Sequence, residues 1–196
     1  PKPLLEIGGK PILWHIMKGY ATQGYKNFIL CLGYKGEQIR NFFLDYANHN
    51  HDVTINLKNG DIINRNGETE DWNITLVNTG VETNTGKRLH AVRKYIENDP
   101  YFLLTYGDGV SDVNIDELIK FHKSKSVIGT ITGIRASSKY GQVKADENGI
   151  IVNFVQYPLL DDRINGGFMV LNKEFLDQEK LSTNIPIEDT IMDLTN

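Results

Sequence analysis

A short apolar run, a glycine-bearing turn and an amphipathic helix follow one another repeatedly along this chain, and that order leaves few folds open to it. Phe28-Ile29-Leu30-Cys31-Leu32 is continuous apolar sequence, the mark of a strand covered on both faces. Gly33-Tyr34-Lys35-Gly36 turns the chain, and Ile39, Phe42, Phe43 and Tyr46 then recur at helical spacing. The same order returns with a strand over 74–77 and a helix lined by Leu89, Val92 and Ile96. It returns again with a strand over 102–105 and a helix beginning near Asn114, where Glu117 completes a capping box. Units of this kind pack as a mostly parallel sheet between helices.

Ahead of them, Gly8-Gly9-Lys10-Pro11 predicts a turn that opens a helix, with Pro11 near the first helical position, where a missing N–H costs nothing. Ile12, Leu13, Ile16, Met17 and Tyr20 share one face of that helix, and Gly24 ends it. From Val127 the pattern changes to strands, over 127–134, 142–145, 150–155 and 168–171, with Glu147-Asn148-Gly149 as a hairpin turn. The polar stretch containing Asn59-Gly60 and Asn66-Gly67 reads as a loop or a small excursion hairpin, and 189–196 continues in a helical pattern.

Charge and cysteine content exclude several roles. Lysine and arginine number 21 against 25 acidic residues, a net charge of -4, and the two signs are mixed rather than gathered into the basic stripe that nucleic acid requires. No apolar run approaches the roughly 20 residues of a bilayer-spanning helix. Cys31 is the one cysteine, so there is no internal disulfide and no cysteine zinc cage. Its apolar setting predicts a small buried hydrophobe, and a cytoplasmic location fits it. His49-Asn50-His51 has no third ligand at suitable spacing and reads as a polar surface turn. His15, His90 and His122 fall in helices, at partly exposed positions. Trp14 and Trp72 read as packing anchors.

Ligands of parallel α/β sheets bind beyond the carboxyl ends of the strands, where the turns after Leu32 and Thr105 lie. In Tyr106-Gly107-Asp108-Gly109 a carboxylate stands between two glycines. A phosphorylated ligand can approach such a backbone closely, with Mg²⁺ bridging Asp108 to phosphate oxygens; a plain Asp-Gly turn is the competing reading. Lys2, between two prolines, can neutralise a phosphoryl group or simply be solvated. Thr79-Gly80, Thr83, Thr85-Gly86 and Arg88 place small hydroxyls and a guanidinium around a helix N-terminus, which suits an anion as well as ordinary capping. Tyr140-Gly141 and Asn165-Gly166-Gly167 allow close backbone approach to a ligand, and an Asn amide suits a sugar hydroxyl; tight turns or bulges account for them equally.

The order of these signals carries more than any one of them. Lys2-Pro3-Leu4-Leu5-Glu6-Ile7-Gly8-Gly9-Lys10-Pro11-Ile12-Leu13 resembles the segment that follows the phosphate-binding glycine loop in sugar-phosphate nucleotidyltransferases. Within that superfamily, Ile12 to Lys18, Gly33-Tyr34-Lys35-Gly36, Trp72 to Gly80, Thr105-Tyr106-Gly107-Asp108-Gly109 and Asn165-Gly166-Gly167-Phe168 resemble the glucose-1-phosphate cytidylyltransferases, over nearly the whole chain. The resemblance implies a Rossmann-like three-layer α/β fold, a mostly parallel mixed sheet flanked by helices. It further implies a single nucleotidyltransferase domain over 1–196, incomplete at both ends, with the glycine loop before Pro1 and a second metal-binding aspartate beyond Asn196.

The implied activity is formation of CDP-glucose and pyrophosphate from CTP and α-D-glucose 1-phosphate, toward deoxysugars of surface polysaccharides. The implied cofactor is Mg²⁺, and the implied assembly a cytoplasmic homo-oligomer. By position, Asp108 would hold the metal with Gly107 beside the substrate, and Lys2 would contact the phosphates. Thr83 and Arg88 would lie in the nucleotide site, with Thr79, Gly80 and Tyr106 also among the substrate-binding residues. Tyr140, Gly141, Asn165 and Gly166 would border the sugar. One departure stands out: where the family has Phe-x-Glu-Lys-Pro, this chain has Phe154-Val155-Gln156-Tyr157-Pro158. A phenol is neutral at pH 7 and cannot replace the lysine charge; Arg163 or Lys139 are the cations at hand. Lys87 and His90-Ala91 also differ from the family's usual residues around Arg88. Two alternatives stay open: a related NDP-sugar pyrophosphorylase of other nucleotide or sugar specificity, and a non-catalytic sugar-nucleotide-binding regulatory domain.

Overall fold

A computed structural model describes residues 1–65 and 69–195; the expected Asn66-Gly67 turn lies outside them. The chain opens with a one-turn 3₁₀ helix (Lys2–Leu4) and the short hairpin β1 (Glu6–Ile7) and β2 (Lys10–Pro11). Gly8 and Gly9 form its turn at φ 59° and 77°, left-handed values that glycine adopts without a side-chain clash. Helix α1 (Ile12–Ala21) follows directly, burying Leu13, Ile16, Met17 and Tyr20 on the face the periodicity predicts.

Strand β3 (Asn27–Leu32) leads through α2 (Gly36–Leu44) and α3 (Tyr46–Asn50) into the excursion hairpin β4 (Asp52–Ile55) and β5 (Ile62–Arg65). The chain then returns as β6 (Asn73–Asn78), which pairs parallel with β3 from Asn27 opposite Asn73 to Leu32 opposite Asn78. Helix α4 (Thr85–Val92), β7 (Tyr101–Leu104) and α5 (Ile115–Lys125) come next. Asn114 caps α5, its Oδ1 accepting the Glu117 N–H at 3.0 Å, as the capping-box pattern predicts. The remaining strands are β8 (Gly129–Ile134), the hairpin β9 (Gln142–Ala145) with β10 (Ile151–Val155), and β11 (Ile164–Asn172), with helix α6 (Ile187–Asp193) after them. β11 lies between β7 and β8, antiparallel to both.

Alternation along the central strands divides the core into two layers. Phe168 and Val170 of β11 pack with Ile16 and Tyr20 of α1 and with Ile115 and Ile119 of α5, against Phe28 of β3 and Leu103 of β7. Met169 and Leu171 face the other way, toward Leu89 and Val92 of α4, Ile187 of α6, Ile29 of β3 and Phe102 of β7. Helices therefore cover both faces of the strand layer, the three-layer α/β arrangement expected. Within that layer β3 and β6 form a parallel pair and β7, β11 and β8 an antiparallel sheet, and β3, β7 and β11 each contribute to both layers of the core. That two-sided burial is why their sequences read as unbroken apolar runs.

Two side chains depart from expectation. His122 is buried at 3% exposure, not partly exposed, because Ile115, Ile119 and His122 share one face of α5. Its ring nitrogens meet Thr130 Oγ1 and Asn172 Oδ1, each at 2.9 Å, which satisfies both and removes the cost of burying them. Cys31 is exposed rather than buried; its Sγ lies 3.9 Å from the Arg88 carbonyl oxygen, which accepts from the thiol.

Candidate active site

The turn after β7 carries Tyr106-Gly107-Asp108-Gly109. Gly107 packs against the chain's first turn, and a Cβ there would stand 3.4 Å from Pro3. This contact brings the 3₁₀ helix to the end of β7 and sets Lys2 Nζ 4.0 Å from Asp108 Oδ2. Both side chains face solvent, at 79% and 45% exposure, so the carboxylate is not turned into the core. Among the described residues no three His, Cys, Asp or Glu side chains cluster to hold a metal ion. A lone open carboxylate fits Mg²⁺, which takes few protein ligands and completes its shell from phosphate and water.

A second group surrounds the end of β6. Thr79 donates through Oγ1 to the Leu32 carbonyl at 3.0 Å and accepts from Arg88 Nη1 at 2.6 Å. The Arg88 guanidinium also reaches the Val81 carbonyl at 3.4 Å and lies over Gly33, where any Cβ would fall 2.4 Å from it. Arg88 thus braces the 79–88 loop across the first Gly-rich turn. Gly80 sits at φ 98° with Thr83 Oγ1 2.6 Å from where its Cβ would be, so a side chain at 80 would displace Thr83.

The start of α4 is tied to the segment before α6. Asn84 donates twice to Asn184, from its backbone N–H to Oδ1 and from Nδ2 to the carbonyl, each at 2.8 Å, and Thr85 Oγ1 accepts the Ile187 N–H at 2.8 Å. Gly86 permits this approach: a Cβ there would meet the Ile185 carbonyl oxygen at 2.9 Å.

The third group forms where β11 bulges between Asn165 and Met169. Gly167 at φ 72° and Phe168 at φ 41° reverse the local backbone, and such bulges re-aim neighbouring side chains. Asn165 Oδ1 accepts the Gly167 N–H at 2.9 Å, while its Nδ2 donates to the Tyr106 hydroxyl at 3.1 Å. Tyr106 in turn donates to Glu188 Oε1 on α6. Burial pushes the Tyr106 phenol up to about 12, the Glu188 hydrogen bond adding to the rise and the Asn165 amide opposing it. Gly166 lies against the Thr132 carbonyl and Ile134.

The predicted residues therefore fall into three sets: Lys2 with Asp108 and Gly107; Thr79, Gly80 and Thr83 with Arg88; and Tyr106 with Asn165. Tyr140 is exposed at 80%, and Gly141 abuts the Phe154 ring, which places both with the β9–β10 hairpin. Tyr157, also exposed, stands at φ 53° with its carbonyl accepting the Ser137 hydroxyl at 2.9 Å. Glu188 is the participant that sequence reasoning missed. Nothing beside it marks it, because its partner comes from the turn after β7. Two surface cavities lie apart from these sets, one of about 330 Å³ lined by Arg93, Glu97, Asn98, Lys173 and Asp177, and one of about 240 Å³ beside Tyr46, Glu70 and Trp72.

The nucleotidyl transferase family matches residues 1–196, and the chain, with its three-layer α/β fold, belongs to that family. Within it the chain groups with the glucose-1-phosphate cytidylyltransferases. It is 43% identical over 189 residues to the probable glucose-1-phosphate cytidylyltransferase of Bacillus subtilis (strain 168), covering 96% of this chain and 73% of that protein. It is 44% identical over 178 residues to the glucose-1-phosphate cytidylyltransferase of Salmonella typhi, covering 90% and 69%. Among solved structures, a UDP-glucose pyrophosphorylase from Acinetobacter baumanii superposes with a TM-score of 0.64 at 15% identity, over 100% of this chain and 75% of that one. HddC from Yersinia pseudotuberculosis gives 0.62 at 22% identity, over 90% and 69%. These structural likenesses establish the fold. No helix among the described residues is long and apolar enough to cross a membrane.

Proposed function

We propose that this protein forms CDP-glucose and pyrophosphate from CTP and α-D-glucose 1-phosphate. The observation that carries the chemistry is the meeting of Lys2 and Asp108 at the exposed end of β7. Identity of 43% and 44% to cytidylyltransferases along most of the chain supports the choice of substrates, and favours this reading over other specificities or a non-catalytic module.

A sugar phosphate oxygen attacks the α-phosphorus in line; a new P–O bond forms as the bond to the bridging oxygen breaks, and pyrophosphate leaves with that oxygen. Such transfers depend on positioning and charge neutralisation. Asp108 would hold Mg²⁺, whose charge offsets that of the phosphate oxygens. Lys2, beside Asp108, adds a second positive charge. The loop from Thr79 to Arg88, braced by its internal hydrogen bonds, offers the Gly80 backbone and the Thr83 hydroxyl to the nucleotide, and Gly107 lies beside the substrate. Asn165 and Gly166, with Tyr140 and Gly141 on the neighbouring hairpin, border the sugar. Residues 1–196 belong to one nucleotidyltransferase domain in this reading, in a cytoplasmic homo-oligomer serving polysaccharide synthesis.

The test is a panel of nucleoside triphosphates crossed with sugar 1-phosphates, with pyrophosphate release as the readout. CTP with glucose 1-phosphate is expected to give the highest kcat/KM. A different best pair, or binding without release, would overturn the assignment.

A further inference from the structure

The Tyr106 hydroxyl has one proton to donate, and it donates to Glu188. A carboxylate can only accept, so this direction is fixed. The phenol oxygen is left to accept, and it does so from Asn165 Nδ2. Asn165 Oδ1 is meanwhile taken by the Gly167 N–H. Both ends of the amide are thereby assigned, leaving one N–H and one oxygen lone pair uncommitted. A sugar hydroxyl, which both donates and accepts, matches that remaining pair.

Glu188 itself is held from behind. It lies in the first turn of α6, whose leading N–H, that of Ile187, is bonded to Thr85 on the nucleotide loop. The carboxylate thus stands on a segment anchored through Asn84, Thr85 and Gly86.

We propose that Glu188 is a positioning residue for the sugar end of the site: by accepting the Tyr106 proton it commits the phenol to Asn165 and fixes how the Asn165 amide meets a sugar hydroxyl. This rests on the assignment of Asn165 to the sugar made above. Without Glu188 the phenol O–H turns freely and competes with the sugar for Asn165.

The experiment is steady-state kinetics of the full-length gene product, with KM measured separately for CTP and for glucose 1-phosphate. Glu188→Ala is expected to raise KM for glucose 1-phosphate about tenfold, the scale of one hydrogen bond, while KM for CTP stays within about twofold. Glu188→Gln is expected to restore it, because the amide oxygen still accepts the phenol proton. Tyr106→Phe should match Glu188→Ala, and the double variant should be no worse than either. An unchanged sugar KM, equal rises for both substrates, failure of Gln to restore, or additive losses would each overturn the proposal. Should Glu188→Ala melt early, the Gln and Phe variants carry the same decision. Wild-type protein that forms no CDP-glucose overturns the assigned reaction instead; calorimetric binding of glucose 1-phosphate to wild type and the Glu188 variants then decides the role of Glu188 by the same contrast.

Discussion

Lys2 Nζ stands 4.0 Å from Asp108 Oδ2, joining the chain's first turn to the turn that ends β7. At 79% and 45% exposure such a pair contributes on the order of 0–1 kcal/mol to stability, so it is not what holds the two turns together. The packing of Pro3 against Gly107 does that. The two charges are free to exchange each other for phosphate and metal.

Removing Lys2 should therefore separate stability from catalysis. Lys2→Ala is expected to leave Tm within a few degrees of wild type, while kcat falls about a hundredfold through loss of a charge at the transferring phosphoryl group. Thermal melting beside pyrophosphate release checks both; a large drop in Tm would recast Lys2 as structural.

Gly86 makes the opposite case. A Cβ there would stand 2.9 Å from the Ile185 carbonyl oxygen, a backbone atom that cannot step aside cheaply. Alanine is favoured over glycine inside helices by about 1 kcal/mol, yet Gly86→Ala is expected to destabilise by about 1–3 kcal/mol from the forced shift. Urea unfolding measures the sign.

Tyr157 stands where the resemblance expects lysine. Tyr157→Lys is expected to lower KM for glucose 1-phosphate and leave KM for CTP unchanged, since an ammonium supplies the charge that a neutral phenol lacks. No change in either constant would show that another cation already serves the sugar phosphate.

Alkaline stability follows from the buried phenols. Tyr106 is raised from 10.0 to about 12, chiefly by burial, and Tyr20 is raised as well by burial against Phe168. A phenol whose folded pKa lies above its unfolded value stabilises fully below pH 10, and that stability is lost as pH climbs through the folded value. Urea midpoints are thus expected to fall between about pH 10 and 12, and less steeply in Tyr106→Phe; a flat profile would contradict the burial of these hydroxyls.

Much of the fold was legible because two-sided burial writes itself into sequence as unbroken apolar runs. Phe28 to Leu32 and Phe168 to Leu171 show it, and the Asn114–Glu117 cap marks α5 to the residue. Strand direction was not legible, since an apolar run fits a parallel or antiparallel neighbour equally; β11 lies antiparallel between β7 and β8. The helical spacing of Ile115, Ile119 and His122 carried the burial of His122, but a histidine's polarity hid it. At the site, Asp108 between glycines was visible as a local motif. Glu188 was not, because its meaning lies in a hydrogen bond to Tyr106, a residue distant along the chain.

Replacement of Asp108 by asparagine tests the central assignment most directly, since it keeps the turn's shape and removes only the charge. In the full-length protein, with CTP, glucose 1-phosphate and Mg²⁺ supplied, pyrophosphate release is expected to fall by about a hundredfold or more with Tm unchanged. Turnover near the wild-type rate would take that carboxylate out of the reaction and leave the family's fold without the chemistry assigned to it.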